Sequence, residues 1–263
     1  DFPIRKIGGK AKREIEPGEV VFLDREDISF KKIYSEDEKF CFFEFTYLAR
    51  EESNFKGKRV GDVRENLGSE LAKEIEVDAD FVTDVPRSGK PYAMGFQKES
   101  GLPYLSLLEK KNFERSFIQS TKEDRERSIT DNLYLRDSHR IRDKAVAVVD
   151  DSVIRGNVIK RVVELLKKAG AKRIYFLSGV PPIGRDENCY CCYGVDMPPE
   201  DEFIMRKFET PEKISRYISR SYNIDFELHY LSEDGLFKVL PGKEENYCSQ
   251  CITGKCPIAD LKK

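Results

Sequence analysis

Two adjacent carboxylates, Asp150 and Asp151, close a run of small apolar residues, and Ser152, Arg155 and Gly156 follow at once in the segment AVAVVDDSVIRGNV, Ala145 to Val158. An acid pair so placed can hold ribose hydroxyls or a hydrated Mg²⁺. The backbone N–H groups of a short turn ahead of a helix receive phosphate, helped by the helix dipole. The chemistry indicated is capture of a sugar phosphate. Nothing in the chain matches the GxxxxGK[ST] loop, and no GxGxxG follows a strand. Asp-Asp-Ser alone reads more simply as a helix cap; the whole segment favours the ligand site.

The elements that must position these groups are legible around them. Residues 145–149 show no polar alternation, as expected of a parallel strand covered on both faces. Apolar residues then recur at Val158, Val162, Leu165, Leu166 and Ala169, with Glu164, Lys167 and Lys168 between them, which predicts a helix over 157–169 stopped by Gly170. A second apolar run at 174–177 completes a strand–helix–strand unit, and ligands of such units sit at the carboxyl ends of the strands. A further strand is expected at 81–85 and another candidate at 103–108, with helices at 60–76 and 89–100 and a helix start at Thr210-Pro211-Glu212. The turn Pro86-Arg87-Ser88-Gly89-Lys90 reads on its own as an ordinary strand-to-helix connection.

Composition excludes several classes. The 263 residues suffice for one large domain or a domain with appendages, and 39% apolar content supports a core. Lysine plus arginine (46) nearly balance aspartate plus glutamate (48), so no basic field invites nucleic acid. No apolar run reaches membrane-spanning length and nothing resembles a signal peptide, so no membrane partner and a cytoplasmic location are expected. The seven cysteines fall as Cys41, then Cys189, Cys191 and Cys192, then Cys248, Cys251 and Cys256. The CxxC of Cys248 and Cys251 with one sulfur from each of two distant segments makes a four-thiolate site, which iron–sulfur or zinc would accept. His139 and His229 fit no catalytic arrangement and are expected at the surface.

VVDDSVIRG resembles the phosphoribosyl-pyrophosphate (PRPP) motif of type I phosphoribosyltransferases, in the form found in glutamine PRPP amidotransferases. REIEPGEVV (13–21), CFFEFTYLAR (41–50), ENLG (65–68), RSFI (115–118), YGVDMP (193–198) and SQCITGKCP (249–257) are similar to the same family and occur in its order. The resemblance implies an α/β fold of type I phosphoribosyltransferase kind, a mostly parallel twisted sheet flanked by helices. It implies an N-terminal β extension (1–45) at the junction with a glutaminase, a phosphoribosyltransferase domain (46–198) and a C-terminal helical, cysteine-rich segment (199–263). The activity implied is Mg-dependent transfer from PRPP to ammonia, giving 5-phosphoribosylamine and pyrophosphate, the first step of purine biosynthesis. The family's N-terminal cysteine nucleophile has no counterpart, since Asp1 cannot replace a thiol; ammonia would come free or from a separate glutaminase subunit. A homo-oligomer is also implied.

Residue by residue, the resemblance assigns Ser88, Gly89 and Lys90 to pyrophosphate, with Ser88 assisting the metal. It assigns Asp150 and Asp151 to ribose and Mg²⁺, and Ser152, Val153, Ile154, Arg155, Gly156 and Asn157 to the 5-phosphate. Lys111 and Arg115 fall in the family's catalytic loop. Cys41, Cys191, Cys248 and Cys251 map to the ligands of a [4Fe–4S] cluster, with Cys189 and Cys192 as near alternatives for the second and Cys256 surplus. Several positions depart from the pattern. Asn157 and Val158 replace a Thr-Thr pair. Glu109 and Glu114 stand at lysine and glycine positions, and Ile129 to Leu133 replaces a basic Val-Arg-x-Lys-Leu. Each lost charge-assisted contact costs about 1.5–3 kcal/mol. Two other functions therefore stand beside the first: a non-catalytic PRPP- or nucleotide-binding iron–sulfur protein of regulatory or assembly role, and phosphoribosyl transfer to another acceptor.

Overall fold

The structure is a computed structural model that describes residues 1–25, 27–35, 37–111, 132–190 and 202–257. The expectations for Glu114, Arg115, Cys191 and Cys192 lie outside these residues. Helix α1 (Val60–Glu74), strand β1 (Phe81–Asp84), helix α2 (Gly89–Ser100) and strand β2 (Ala145–Asp150) alternate along the chain. Helix α3 (Asn157–Lys168), strand β3 (Arg173–Ser178), helix α4 (Pro211–Tyr222) and strand β4 (Asp225–Tyr230) continue the pattern. The four strands make one parallel sheet in the order β4-β3-β2-β1.

β2 lies inside the sheet and is covered on both faces. Ala147 and Val149 join the layer of α1 and α2, with Leu67, Leu71, Tyr92 and Phe96. Val146 and Val148 join the layer of α3 and α4, with Val162, Leu166, Ile214 and Ile218. Both faces are apolar, so the strand shows no alternation. The α1–α2 contact is backbone to backbone. A Cβ on Gly95 would stand 1.8 Å from the Glu65 carbonyl oxygen, and one on Gly68 2.0 Å from that of Tyr92.

Two elements differ from the sequence expectation. The candidate strand at 103–108 reduces to a single parallel bridge between Tyr104 and Val82, because beyond Leu105 the Leu107 N–H donates to Thr83 Oγ1 at 3.3 Å rather than to the main chain of β1. The chain then forms Leu108–Lys110, antiparallel to Leu133–Leu135. β4 is the second difference: its Asp225, Glu227 and His229 alternate with buried Phe226 and Leu228, the pattern of an edge strand with one covered face.

Near the N-terminus, Glu19–Leu23 and Ile28–Lys32 form a hairpin with Phe22 and Leu23 exposed. Phe40–Cys41 then pairs in parallel with Tyr247–Cys248. The Phe40 ring meets those of Phe45, Phe55 and Tyr247, so segments from both ends of the chain are fastened to the α1 layer. Among the described residues no helix is long and apolar enough to cross a membrane.

Candidate functional site

A cleft opens where β2 ends and α3 begins. It is lined by Asp150, Asp151 and the turn from Ser152 to Ile159, with Val85, Ser88, Lys110, Phe43, Tyr47 and Phe176 completing the wall. Both carboxylates are 4% exposed. Asp151 accepts from Ser88 Oγ at 3.1 Å and from Ser152 Oγ at 3.2 Å, while the Asp151 N–H donates to Asp150 Oδ1 at 2.9 Å. Burial, and then the charge of Asp151, raises the Asp150 carboxyl well above the usual carboxylate range, with Lys110 opposing the shift. Two buried acids short of cations form a site prepared for positive charge or for hydroxyl donors.

The turn beyond them is shaped for an anion. Gly156 takes a left-handed φ of 80° at the N-cap of α3, no side chain caps the helix, and no acid occupies its first turn. Among the described residues no side chain accepts from the N-terminal N–H groups of α3, which border the cleft, and the dipole adds positive potential there.

The turn after β1 supplies the opposite wall. Ser88 lines the cleft. Gly89 is buried against β2, where a Cβ would stand 2.5 Å from the Val149 carbonyl oxygen. Lys90 is exposed and outside the lining. Of two neighbouring lysines it is Lys110 that lines the cleft; Lys111 is exposed, with its ammonium 5.6 Å from the Tyr134 ring centroid. Sequence reasoning assigned no role to Phe43 and Tyr47, although both lie in the segment CFFEFTYLAR that carries part of the resemblance. It also passed over Asp84, 3% exposed, which accepts from Tyr104 Oη at 2.6 Å. Burial raises the Asp84 carboxyl above its ordinary range, the tyrosine bond opposing it.

Among the described cysteines, Cys41 and Cys251 pack with the α1 layer. Cys41 and Cys248 are register partners in adjacent parallel strands, so their side chains leave the same face roughly 4.8 Å apart. Cys251 follows in the turn Gln250–Thr253. Buried Cys189 donates its thiol to the Ile252 carbonyl at 3.6 Å, beside Cys251. The donors suit a thiophilic centre. Among the described residues alone no group of three or more His, Cys, Asp or Glu side chains is placed to hold a metal ion.

No protein-family model matches the chain. Curated relatives do. It is 35% identical over 260 residues to the amidophosphoribosyltransferase of Archaeoglobus fulgidus, covering 97% of this chain and 54% of that protein. To that of Methanocaldococcus jannaschii it is 34% identical over 274 residues, covering 98% and 55%. Among solved structures, glutamine PRPP amidotransferase from B. subtilis, complexed with ADP and GMP, superposes with a TM-score of 0.79 at 31% identity, over 97% of this chain and 55% of that one. Over 97% of its length the chain is homologous to amidophosphoribosyltransferases. It spans about half the length of the curated relatives it matches, and its sheet with flanking helices is the type I phosphoribosyltransferase fold. The acid pair and the uncapped α3 terminus lie together at the end of β2.

Proposed function

We propose that this chain transfers the phosphoribosyl group of PRPP to ammonia, releasing pyrophosphate and forming 5-phosphoribosylamine for purine biosynthesis. The observation that carries the reading is the buried Asp150–Asp151 pair, tied to Ser88 and set beside the uncapped N-terminus of α3. The 5-phosphate sits on the turn from Ser152 to Asn157. The ribose hydroxyls donate to the carboxylates, and pyrophosphate lies toward Ser88 and the start of α2. The ammonia nitrogen forms a bond to ribose C1 as the C1–O bond to pyrophosphate breaks, and the ammonium so formed then loses a proton. Ammonia is already a nucleophile, so the protein's work is positioning, charge neutralisation and exclusion of water. Ser88, Asp150 and Asp151 would hold Mg²⁺, which supplies charge neutralisation for the departing pyrophosphate. Lys110 adds positive charge at the cleft, with Lys111 and Arg115 assigned to the loop that follows.

Cys41, Cys248 and Cys251, with Cys191, would hold a [4Fe–4S] cluster that fastens the C-terminal segment. The ammonia comes free or from a glutaminase subunit, and the chain works as a cytoplasmic homo-oligomer.

Pyrophosphate release from PRPP, measured with Mg²⁺ and ammonium and then with glutamine, tests the reading. Turnover with ammonium is expected. PRPP binding without turnover would transfer the conclusion to the non-catalytic alternative that the Glu114 and Thr130–Asn132 departures favour. Turnover only with another nucleophile would reassign the acceptor. Zinc without iron or sulfide in anaerobically purified protein would replace the cluster.

A further inference from the structure

The turn that receives phosphate is held from behind by the segment beginning at Glu202. The Glu202 carboxylate accepts from Arg155 Nε at 2.6 Å, with the two side chains only 20% and 14% exposed. Two residues on, the Ile204 N–H donates to the Ile154 carbonyl oxygen at 2.9 Å. The Ile204 side chain closes over Gly156, where a Cβ would lie 2.4 Å from Ile204 Cδ1. Phe203 between them is buried, with its ring against Gly184. A main-chain, an ionic and an apolar contact therefore fall on Ile154, Arg155 and Gly156 in succession.

An arginine in a phosphate-binding turn is read from sequence as a phosphate ligand, since guanidinium and phosphate pair well. Here its Nε, one corner of the fork, is committed to a shielded carboxylate. Meanwhile the turn's own N–H groups and the α3 terminus stand ready for the anion. For such donors to act, the turn must keep its shape before the ligand arrives, otherwise binding must also order it. Gly156, in a left-handed conformation, is the point at which an unsupported turn would give way.

We propose that Glu202 to Ile204 form a buttress that fixes the phosphate-receiving turn, and that Arg155 is a positioning residue acting through Glu202 rather than a phosphate ligand. The inference rests on the sugar-phosphate reading for its purpose, though the buttress itself can be measured without a ligand. Buried charge-assisted contacts of this kind are worth about tenfold or more in an equilibrium.

The test compares Glu202→Ala, Glu202→Gln, Arg155→Ala and the Glu202→Ala/Arg155→Ala double variant with the unaltered chain. Amide hydrogen exchange over 152–157 is read without ligand. PRPP affinity and the KM and kcat of pyrophosphate release are read with Mg²⁺. Faster exchange confined to the turn is expected, with a loss of PRPP affinity of about tenfold, equal for the two single alanine variants and no larger in the double. The rise in KM should exceed the fall in kcat, and Glu202→Gln, which keeps an acceptor, should recover part of the affinity. An Arg155→Ala loss far beyond that of Glu202→Ala, with additive losses in the double, would identify Arg155 as a direct ligand and overturn the proposal. Unchanged exchange at 152–157 in Glu202→Ala would overturn it too, as would unchanged exchange in Glu202→Gln should the alanine variant not fold. If the unaltered chain binds no PRPP, the functional reading fails while the exchange data still decide the buttress.

Discussion

Gly89→Ala isolates the geometry of the site from its chemistry, because it adds one methyl group and removes no functional atom. Gly89 opens α2, and its Cα faces the end of β2. An added Cβ would stand 2.5 Å from the Val149 carbonyl oxygen and 3.1 Å from Asp150 Cα. Both are backbone atoms of an inner strand, so no side chain can swing aside. About 0.9 Å of relief is needed to reach ordinary contact at 3.4 Å, and it must come from moving the start of α2 away from Asp150. Ser88 immediately precedes Gly89, so its 3.1 Å bond to Asp151 opens by a similar amount and ceases to be a hydrogen bond. Overpacking of this kind costs about 1–3 kcal/mol of stability. A displacement near 1 Å in a positioning site costs about a hundredfold in turnover. Urea unfolding and PRPP turnover, measured on the same preparation, read the two effects. Gly95→Ala is the control, since its clash with the Glu65 carbonyl is tighter yet lies at the α1–α2 contact. It should lower stability and leave PRPP affinity of the folded protein within about threefold. A Gly89→Ala protein that loses stability but binds PRPP as the unaltered chain does would refute the idea that the α2 start sets the Ser88–Asp151 spacing.

Three further changes probe the surroundings. Asp84→Asn should raise stability at neutral pH. The folded-state carboxyl titrates above its unfolded value, so its favourable contribution is present below the unfolded pKa and lost as pH rises through the folded one. The melting-temperature advantage of the amide should therefore shrink as pH falls toward about 4, and a pH-independent difference would remove the explanation. Arg64, 3% exposed, donates to the Phe45 and Ala49 carbonyls at 2.8 and 2.9 Å. Arg64→Met strands both acceptors and should cost about 2–4 kcal/mol in urea unfolding, whereas a loss under about 0.5 kcal/mol would mean that water replaces the guanidinium. Cys41→Ser, purified without oxygen, should lose iron and sulfide together, and iron at the level of the unaltered chain would exclude Cys41 as a ligand.

How far the sequence discloses this fold follows from what each residue faces. The runs at 145–149 and 174–177 are apolar because helices cover both sides of those strands, and each is a strand here; Phe81–Asp84 is a strand as well, though buried Thr83 and Asp84 interrupt its apolar residues. β4 escapes because Asp225, Glu227 and His229 point away from the core, Arg173 meeting Asp225 at 3.1 Å across the edge. The stretch at 103–108 misleads because its ladder with β1 ends at Leu105, the Leu107 N–H donating to the Thr83 hydroxyl, a pairing no local pattern announces. Helix limits shift by a residue or two, α1 ending at Glu74 where Ile75 turns to extended backbone.

The site divides along the same line. Asp150, Asp151 and the turn to Asn157 are contiguous, so their chemistry is written in one segment and they do meet at one cleft. Lys110 and Lys111 are chemically alike, and successive residues of a strand face opposite ways; only the pairing of Leu108–Lys110 with Leu133–Leu135 decides which lysine reaches the cleft. Phe43 and Tyr47 sit about a hundred residues before the acids they enclose, and no periodicity links them. They also lie two and six residues beyond Cys41, whose strand partner is Cys248. One short segment therefore carries Cys41 at its start and cleft-lining rings along its length. Arg64 pins the segment at the Phe45 and Ala49 carbonyls, and the Tyr92 hydroxyl donates to the Thr46 carbonyl at 2.9 Å. With that backbone fixed at three carbonyls, displacement of Cys41 has little slack in which to dissipate before it reaches Phe43. The Cys41–Cys248 pair and the cleft at Asp150 and Asp151, far apart in sequence, share one mechanical element.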